Sequence, residues 1–213
     1  MSARPAVTLT GALAGHHLAR LRDATSSSAV VRRASAALAT MVISRALDDI
    51  ETRAARVQTP LAEATVLLPA RRITVVPVLR AGLAMLQPAL DLLPDDTRVG
   101  FLGMARDEVT ALPSSYLQSL PGGLAGDEVV VLEVMIATGG SSAAALAAAR
   151  AAGAQRLHLV GLIAAPEGLA ALAATHPDVP VTVAAIDQRL DARNFIVPGL
   201  GDAGDRLYAP AGR

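Results

Sequence analysis

The amino-acid sequence predicts an α/β protein built on a doubly wound, mostly parallel sheet, with N-terminal helices and a flexible hood insertion. From Arg72 onward, short runs of β-branched residues alternate with segments rich in alanine and leucine, which is typical of strands joined by helical crossovers. Each run is mostly apolar, as expected for a strand that is buried on both faces. A chain of 213 residues fits a single domain of this kind.

The elements can be justified in chain order. Residues 28–50 place apolar side chains at helical spacing among charged ones, which predicts one or two amphipathic helices. We therefore expect one domain, residues 1–213, with an N-terminal helical part over residues 1–71 and an α/β core over residues 72–213. Predicted strands lie at residues 73–78, 99–102, 129–132, 157–163 and 181–186, and predicted helices lie at residues 82–93, 141–152 and 166–174.

Residues 104–127 break the alternation of strands and helices. This stretch mixes charged residues, prolines and glycines and is too long for a simple connection. We expect it to be either a flexible surface loop or a hood that covers an active site.

The composition excludes several function classes. The sequence contains no lysine and no cysteine, so it cannot form a Walker A loop, a pyridoxal-phosphate Schiff base, a disulfide or a thiolate metal site. A net charge of zero argues against a nucleic-acid partner, and no apolar stretch is long enough to span a membrane. We expect a cytoplasmic protein that binds a small molecule. The four histidines, His16, His17, His158 and His176, lack metal-ligand spacing, so no metal ligands are assigned in the protein.

The most informative local pattern follows the predicted strand at residues 129–132. The carboxylate of Glu133 comes first, then Val134, Met135, Ile136 and Ala137, and then the turn Thr138-Gly139-Gly140-Ser141, which leads directly into a predicted helix. Backbone N–H groups at a helix start have no intrahelical partners and attract anions. The turn alone would fit a tight connection with Ser141 as the helix cap, but with the upstream carboxylate it favours phosphosugar binding.

Three further features are candidates for ligand binding. Arg80 directly follows the first predicted strand, and Arg106 lies at the start of the insertion. Arg80 would lie at the carboxyl edge of the sheet, where open α/β sheets bind ligands. The segment from Gly199 to Gly204 matches G-x-G-x-x-G, but too little chain follows it for a dinucleotide-binding unit. Its glycines and aspartates instead suggest backbone held close to a ligand.

Together these segments resemble the uracil phosphoribosyltransferases, which are type I phosphoribosyltransferases. The resemblance runs from about residue 72 to residue 208. It is carried by VVPVLRAG at residues 75–82, AAPEG at 164–168, AIDQ at 185–188 and, most specifically, IVPGLGDAGD at 196–205.

The resemblance implies transfer of phosphoribose from phosphoribosyl pyrophosphate (PRPP) to uracil, giving UMP and pyrophosphate in pyrimidine salvage. It implies that residues 133–141 bind the ribose hydroxyls and the 5-phosphate, and that Arg80 and Arg106 face the pyrophosphate. Ile196, Gly201 and Ala203 would read uracil, largely through backbone groups, with Asp202 near both substrates. The implied catalytic residues are Asp202, Arg106 and Glu133, those binding PRPP include Asp202, and Mg²⁺ would arrive bound to PRPP. The resemblance also implies a homo-oligomer, a dimer or larger.

Two alternatives stay open at this point. The family pattern has Asp-Pro where this sequence has Glu133-Val134, so the chain could instead be a diverged paralogue that binds PRPP, uracil or UMP as a regulatory module with little turnover. It could also transfer phosphoribose to a different base.

Overall fold

The computed structural model describes residues 5–106 and 113–208. Its helices are α1 (Ala12–Arg22), α2 (Ser28–Ala46), α3 (Leu83–Leu92), α4 (Gly140–Ala151), α5 (Pro166–Thr175) and α6 (Ala203–Tyr208). Its strands are β1 (Val7–Thr8), β2 (Thr52–Gln58), β3 (Glu63–Pro69), β4 (Ile73–Leu79), β5 (Arg98–Val99), β6 (Phe101–Arg106), β7 (Pro113–Ser119), β8 (Glu128–Ile136), β9 (Arg156–Ala164), β10 (Val181–Ile186), β11 (Arg189–Leu190) and β12 (Ile196–Val197).

A central sheet of eight strands organises the molecule. Its order is β1-β10-β9-β8-β4-β6-β7, and β5 also pairs with β4. Neighbouring strands are parallel except for β7, which runs antiparallel to β6. Two antiparallel pairs, β2 with β3 and β11 with β12, lie outside the sheet. The predicted mostly parallel sheet is confirmed.

Helices cover both faces of this sheet. On one face, Val130 of β8 packs in a core cluster with residues of α1, α2 and α3, including Met85. On the opposite face, Val131 packs with residues of α4 and α5, including Leu146 and Leu172. Because side chains alternate along a strand, β8 must be apolar on both faces, and this double covering is the predicted doubly wound arrangement.

The winding direction reverses between β4 and β8, which are neighbours in the sheet. From β4 the chain passes through α3 to β5 and β6 on one side, and from β8 it passes through α4 to β9 on the other side. Connections that diverge in this way leave a crevice at the carboxyl ends of the two strands. The crevice is where a ligand is expected.

The N-terminal part contains the predicted helices, but it is not only helical. Residues 52–69 form the hairpin of β2 and β3, which the sequence analysis placed within the helical part. Most side chains of β2 are exposed, so this strand lacks the alternation of buried and exposed residues that identifies a strand in a sequence.

The predicted hood insertion is partly regular structure. Strand β6 extends to Arg106 and pairs with β7, with an irregularity in register between Gly103 and Met104. Pro113 and the serines that follow it are poor strand formers, which explains why the sequence did not indicate β7. Residues 107–112 of the predicted hood lie outside the described residues.

No helix in the described ranges is both long enough and apolar enough to span a membrane.

Candidate active site

The carboxyl ends of the parallel strands bring the predicted ligand-binding segments to one edge of the sheet. Arg80 follows β4, residues 137–139 connect β8 to α4, and Asp187 follows β10. Since β4, β8, β9 and β10 are parallel neighbours, these segments share the edge at which the crevice opens.

The connection from β8 to α4 exposes an uncapped helix start. Gly139 adopts a left-handed conformation with φ of 80°, and in the described part of the chain no side chain caps α4 and no acidic residue lies in its first turn. Thr138 and Ser141 are exposed on either side of the two glycines. The N-terminal N–H groups of a helix and flanking hydroxyls can bind a phosphate.

A second glycine holds this connection against the start of α5. A Cβ atom at Gly168 would lie 2.3 Å from the carbonyl oxygen of Ala137, and one at Gly139 would lie 2.7 Å from the carbonyl oxygen of Gly168. Both distances are too short for any other residue, so backbone packs directly on backbone. Gly168 therefore fixes the shape of the segment predicted to bind phosphate, although the sequence analysis assigned no role to this glycine.

Glu133 lies in β8, opposite Gly161 of β9, and only 8% of its surface is exposed. Its Oε2 atom has no hydrogen-bond partner among the described residues. Burial raises the pKa of the Glu133 carboxyl from 4.5 to about 8, partly offset by a hydrogen bond from the backbone N–H of Val134. At neutral pH this side chain is mostly a neutral acid.

The residues that follow Glu133 divide between core and crevice. The side chains of Val134 and Ile136 are buried in the apolar core, and Met135 and Ala137 pack against it. Their side chains therefore serve packing, and only their backbone groups are left to meet a ligand.

Arg80 lies beside the segment predicted to bind uracil. A Cβ atom at Gly204 would lie 3.4 Å from Nη2 of Arg80 and 3.2 Å from Oδ1 of Asp202. Both side chains are therefore next to one glycine of α6, although they come from opposite ends of the α/β core. This position links the two predicted substrate subsites.

Some of the predicted uracil-binding residues are buried in the apolar core and others are exposed. Ile196 and Ala203 are buried with Leu200 in the core cluster on the α1 and α2 side, whereas Gly201 and Asp202 are exposed. Oδ1 of Asp202 accepts a hydrogen bond of 2.9 Å from the backbone N–H of Asp205 and so caps α6. The second carboxylate oxygen and the backbone at residue 201 can face a ligand.

Comparisons with known proteins agree with this arrangement. The family model described as uracil phosphoribosyltransferase matches residues 8–209. The chain belongs to the uracil phosphoribosyltransferase family. It is 44% identical over 196 residues to the uracil phosphoribosyltransferase of Roseiflexus castenholzii, an alignment that covers 92% of this chain and 94% of that protein.

Solved structures place this uracil phosphoribosyltransferase family member among known folds. It is similar to the AQ2163 protein of Aquifex aeolicus, with a TM-score of 0.90 and 36% identity over 96% of this chain and 98% of that one. It is also similar in fold to a hypoxanthine-guanine phosphoribosyltransferase of Bacillus anthracis, with a TM-score of 0.52 and 14% identity over 75% and 80% of the two chains.

Arg106, the second arginine predicted to face pyrophosphate in this family, is only partly described. Its backbone ends β6 and pairs with Pro113, and since β6 is parallel to β4, this position lies at the same sheet edge as Arg80. The Arg106 side chain lies outside what the structure describes.

The structure of this family member also shows an ion pair that the sequence analysis missed. Arg22, the last residue of α1, pairs with Asp187 at 2.5 Å. Asp187 directly follows the predicted strand at residues 181–186 and could have been identified as a carboxylate at the carboxyl edge. Arg22 carries no such signal, because it ends a helix that lies 165 residues away in the sequence.

Proposed function

We propose that this protein is a uracil phosphoribosyltransferase, which transfers the phosphoribosyl group of PRPP to uracil and releases pyrophosphate. N1 of uracil bonds to C1 of the ribose as the bond from C1 to the pyrophosphate oxygen breaks, and N1 loses its proton. The observation that carries this proposal is the meeting of Arg80 and Asp202 beside Gly204, which joins an anion-binding residue to the base-binding loop.

PRPP would be held by three features of the crevice. The uncapped start of α4 would bind the 5-phosphate, with the Thr138 and Ser141 hydroxyls beside it. The ribose hydroxyls would give the unpartnered Glu133 oxygen its hydrogen bond. Arg80, together with Arg106, would stabilise the charge that develops on the departing pyrophosphate.

Uracil would be bound by the loop over residues 196–203. The backbone groups of Ile196, Gly201 and Ala203 would pair with its polar edge, since two of these side chains are buried in the core. A site that satisfies each polar group of the base rejects a base that lacks them. Asp202 would lie between the two substrates.

Mg²⁺ would enter as part of the PRPP complex. Among the described residues, no group of three or more His, Asp or Glu side chains is placed to hold a metal ion, and the exposed carboxylate of Asp202 lies beside Arg80 next to Gly204. When bound, the ion would offset negative charge on the pyrophosphate.

The proposal includes a cytoplasmic location and a homo-oligomeric state, a dimer or larger. The oligomer is supported by the β2–β3 hairpin, where Leu61 is 97% exposed and Leu67 is 70% exposed. Exposed leucines grouped on one hairpin are typical of a protein interface. Sedimentation of the purified protein would test this state.

The deciding experiment incubates the purified protein with uracil, PRPP and Mg²⁺ and measures UMP. Formation of UMP at a rate that scales with protein concentration is the expected result. Retained binding of PRPP without any UMP would instead identify the regulatory module, and turnover of another base in preference to uracil would identify a different transferase.

A further inference from the structure

The Arg22–Asp187 ion pair lies outside the residues assigned to either substrate. Nη1 and Nη2 of Arg22 reach the two carboxylate oxygens of Asp187 at 2.8 and 2.5 Å. The side chain of Asp187 is only 3% exposed and that of Arg22 is 24% exposed. A two-pronged arginine–carboxylate contact of this kind fixes orientation as well as charge.

This ion pair holds both backbone polar groups of one residue in the proposed base-binding loop. The N–H of Gly199 donates to Oδ2 of Asp187 at 2.8 Å, and the carbonyl oxygen of Gly199 accepts from Nη1 of Arg22 at 2.9 Å. Arg22 and Asp187 therefore hold the turn between Ile196 and Gly201.

The turn itself leaves little freedom. Gly199 has a φ of 63°, and a Cβ atom there would lie 2.0 Å from the carbonyl oxygen of Ile196. The loop is folded back on itself at a position that only glycine tolerates, so its location depends on the groups that hold Gly199.

A second arginine ties the other end of the loop to the same helix end. Arg206 of α6 donates to the carbonyl oxygens of Leu21 and Asp23 at 2.5 Å each and to that of Leu200 at 3.0 Å. These contacts give partners to carbonyl groups at the end of α1, which have none within the helix. The proposed base-binding loop is thus connected to the end of α1 both through Gly199 and through Arg206.

We propose that Arg22 and Asp187 are positioning residues that set the affinity and selectivity for the base by fixing the loop over residues 196–203. This inference rests on the proposed function. A loop that reads a base through backbone groups cannot adjust with side-chain rotation, so selectivity requires that its backbone be held to a fraction of an ångström. The proposed 5-phosphate and ribose subsites lie on β8 and the β8–α4 connection, outside the loop that this ion pair holds, and Asp202 is the one residue of the loop that is also assigned to PRPP.

The test uses the double substitution Arg22→Gln with Asp187→Asn, which keeps hydrogen-bonding groups and leaves no unpaired buried charge. The matched control is Arg150→Gln with Asp178→Asn, which removes another 2.5 Å arginine–aspartate pair between α4 and the segment after α5. Circular dichroism and thermal denaturation establish that both variants are folded. The single variant Arg22→Lys, which keeps the charge but lacks the two-pronged contact, provides a second test in case the double variant does not fold.

Initial rates are measured with each substrate varied. We expect KM for uracil to rise about tenfold or more in the double variant, KM for PRPP to rise much less because only Asp202 among its proposed ligands lies in the loop, and the preference for uracil over cytosine to fall. The KM of Arg22→Lys for uracil should lie between that of the double variant and that of the wild type, and the control variant should have the wild-type KM.

Equal rises in both KM values, or a loss of kcat alone, would show a merely structural role and overturn the inference. If the wild type makes no UMP, the proposed function fails as well, whereas wild-type turnover with unchanged uracil KM in the variants overturns this inference alone.

Discussion

The raised pKa of Glu133 predicts that protein stability depends on pH in a specific direction. The folded protein keeps a proton on this carboxyl up to about pH 8, whereas the unfolded chain releases it near pH 4.5. Between these values the folded state binds more protons than the unfolded state, so the free energy of unfolding falls as pH rises. The contribution of this group is greatest below pH 4.5 and levels off above about pH 8.

Glu133→Gln removes the titrating group and keeps nearly the same shape. One pH unit of difference in proton binding corresponds to about 1.4 kcal/mol. The free energy of unfolding of the wild type should therefore fall relative to that of Glu133→Gln by roughly 3 kcal/mol between pH 5.5 and 8. The glutamine variant should be the more stable protein at the upper end of this range.

The assay is urea denaturation of both proteins at several pH values, with the free energy taken from the midpoint and slope. Glu63→Gln is the control for the change in net charge, because Glu63 is an exposed carboxylate on the β2–β3 hairpin. Wild-type and Glu133→Gln curves that run parallel across this range would refute the reasoning, since they would mean that the folded protein does not keep a proton on the buried Glu133 carboxyl.

The remaining predictions concern the two substrate subsites. Asp202→Asn should abolish UMP formation while leaving the thermal midpoint nearly unchanged, and full activity would contradict the assignment of Asp202. Gly168→Ala should destabilise the protein by roughly 1–3 kcal/mol, because the new Cβ would lie 2.3 Å from the Ala137 carbonyl oxygen. The same substitution should weaken PRPP binding, which calorimetry can measure. Gly126→Ala is the control, because nothing lies within 4 Å of a Cβ atom at that position. Chelation of Mg²⁺ should stop turnover reversibly, and UMP formation that persists in excess chelator would contradict the role given to the ion.

The sheet was predictable from sequence because its strands are buried on both faces. The runs that predicted β4, β8, β9 and β10 are mostly apolar on both faces and contain few polar residues, such as Thr74, His158 and Thr182. The predicted strand at residues 99–102 is divided by Gly100 into β5 and β6, both of which pair with β4. The β2–β3 hairpin was missed because exposed strands carry no such pattern.

The sequence predicted the position of Arg80 because this residue lies where β4 ends, and the carboxyl ends of parallel strands share one edge. The expectation that Glu133 follows the strand at residues 129–132 was wrong, because β8 continues to Ile136 and contains Glu133. The burial of Glu133 could not be predicted, because it depends on β9 packing alongside β8. The contacts of Arg22 with Gly199 join residues 177 positions apart, and no local pattern indicates such a pairing.

The contacts of two arginines show what arginine can do in this chain that lysine, which the sequence lacks, could not. Arg22 and Arg206 each bind more than one acceptor, on a carboxylate, on backbone carbonyl groups, or on both. A planar guanidinium can serve several acceptors in fixed directions, whereas an ammonium group is a point charge. Arginine therefore holds the loop that is proposed to bind the base, in addition to supplying positive charge.

The charges around the crevice also favour an anionic ligand. With Glu133 mostly neutral at pH 7, the β8 end of the crevice presents an uncharged acid next to an uncapped helix start, and Arg80 adds positive charge. If PRPP binds as proposed, it would approach this end without repulsion from a buried carboxylate. A carboxyl in this position can then satisfy ribose hydroxyls by accepting or donating a hydrogen bond, because its buried Oε2 is unpartnered among the described residues. In the proposed site, burial of Glu133 would therefore favour both the entry of PRPP and its binding.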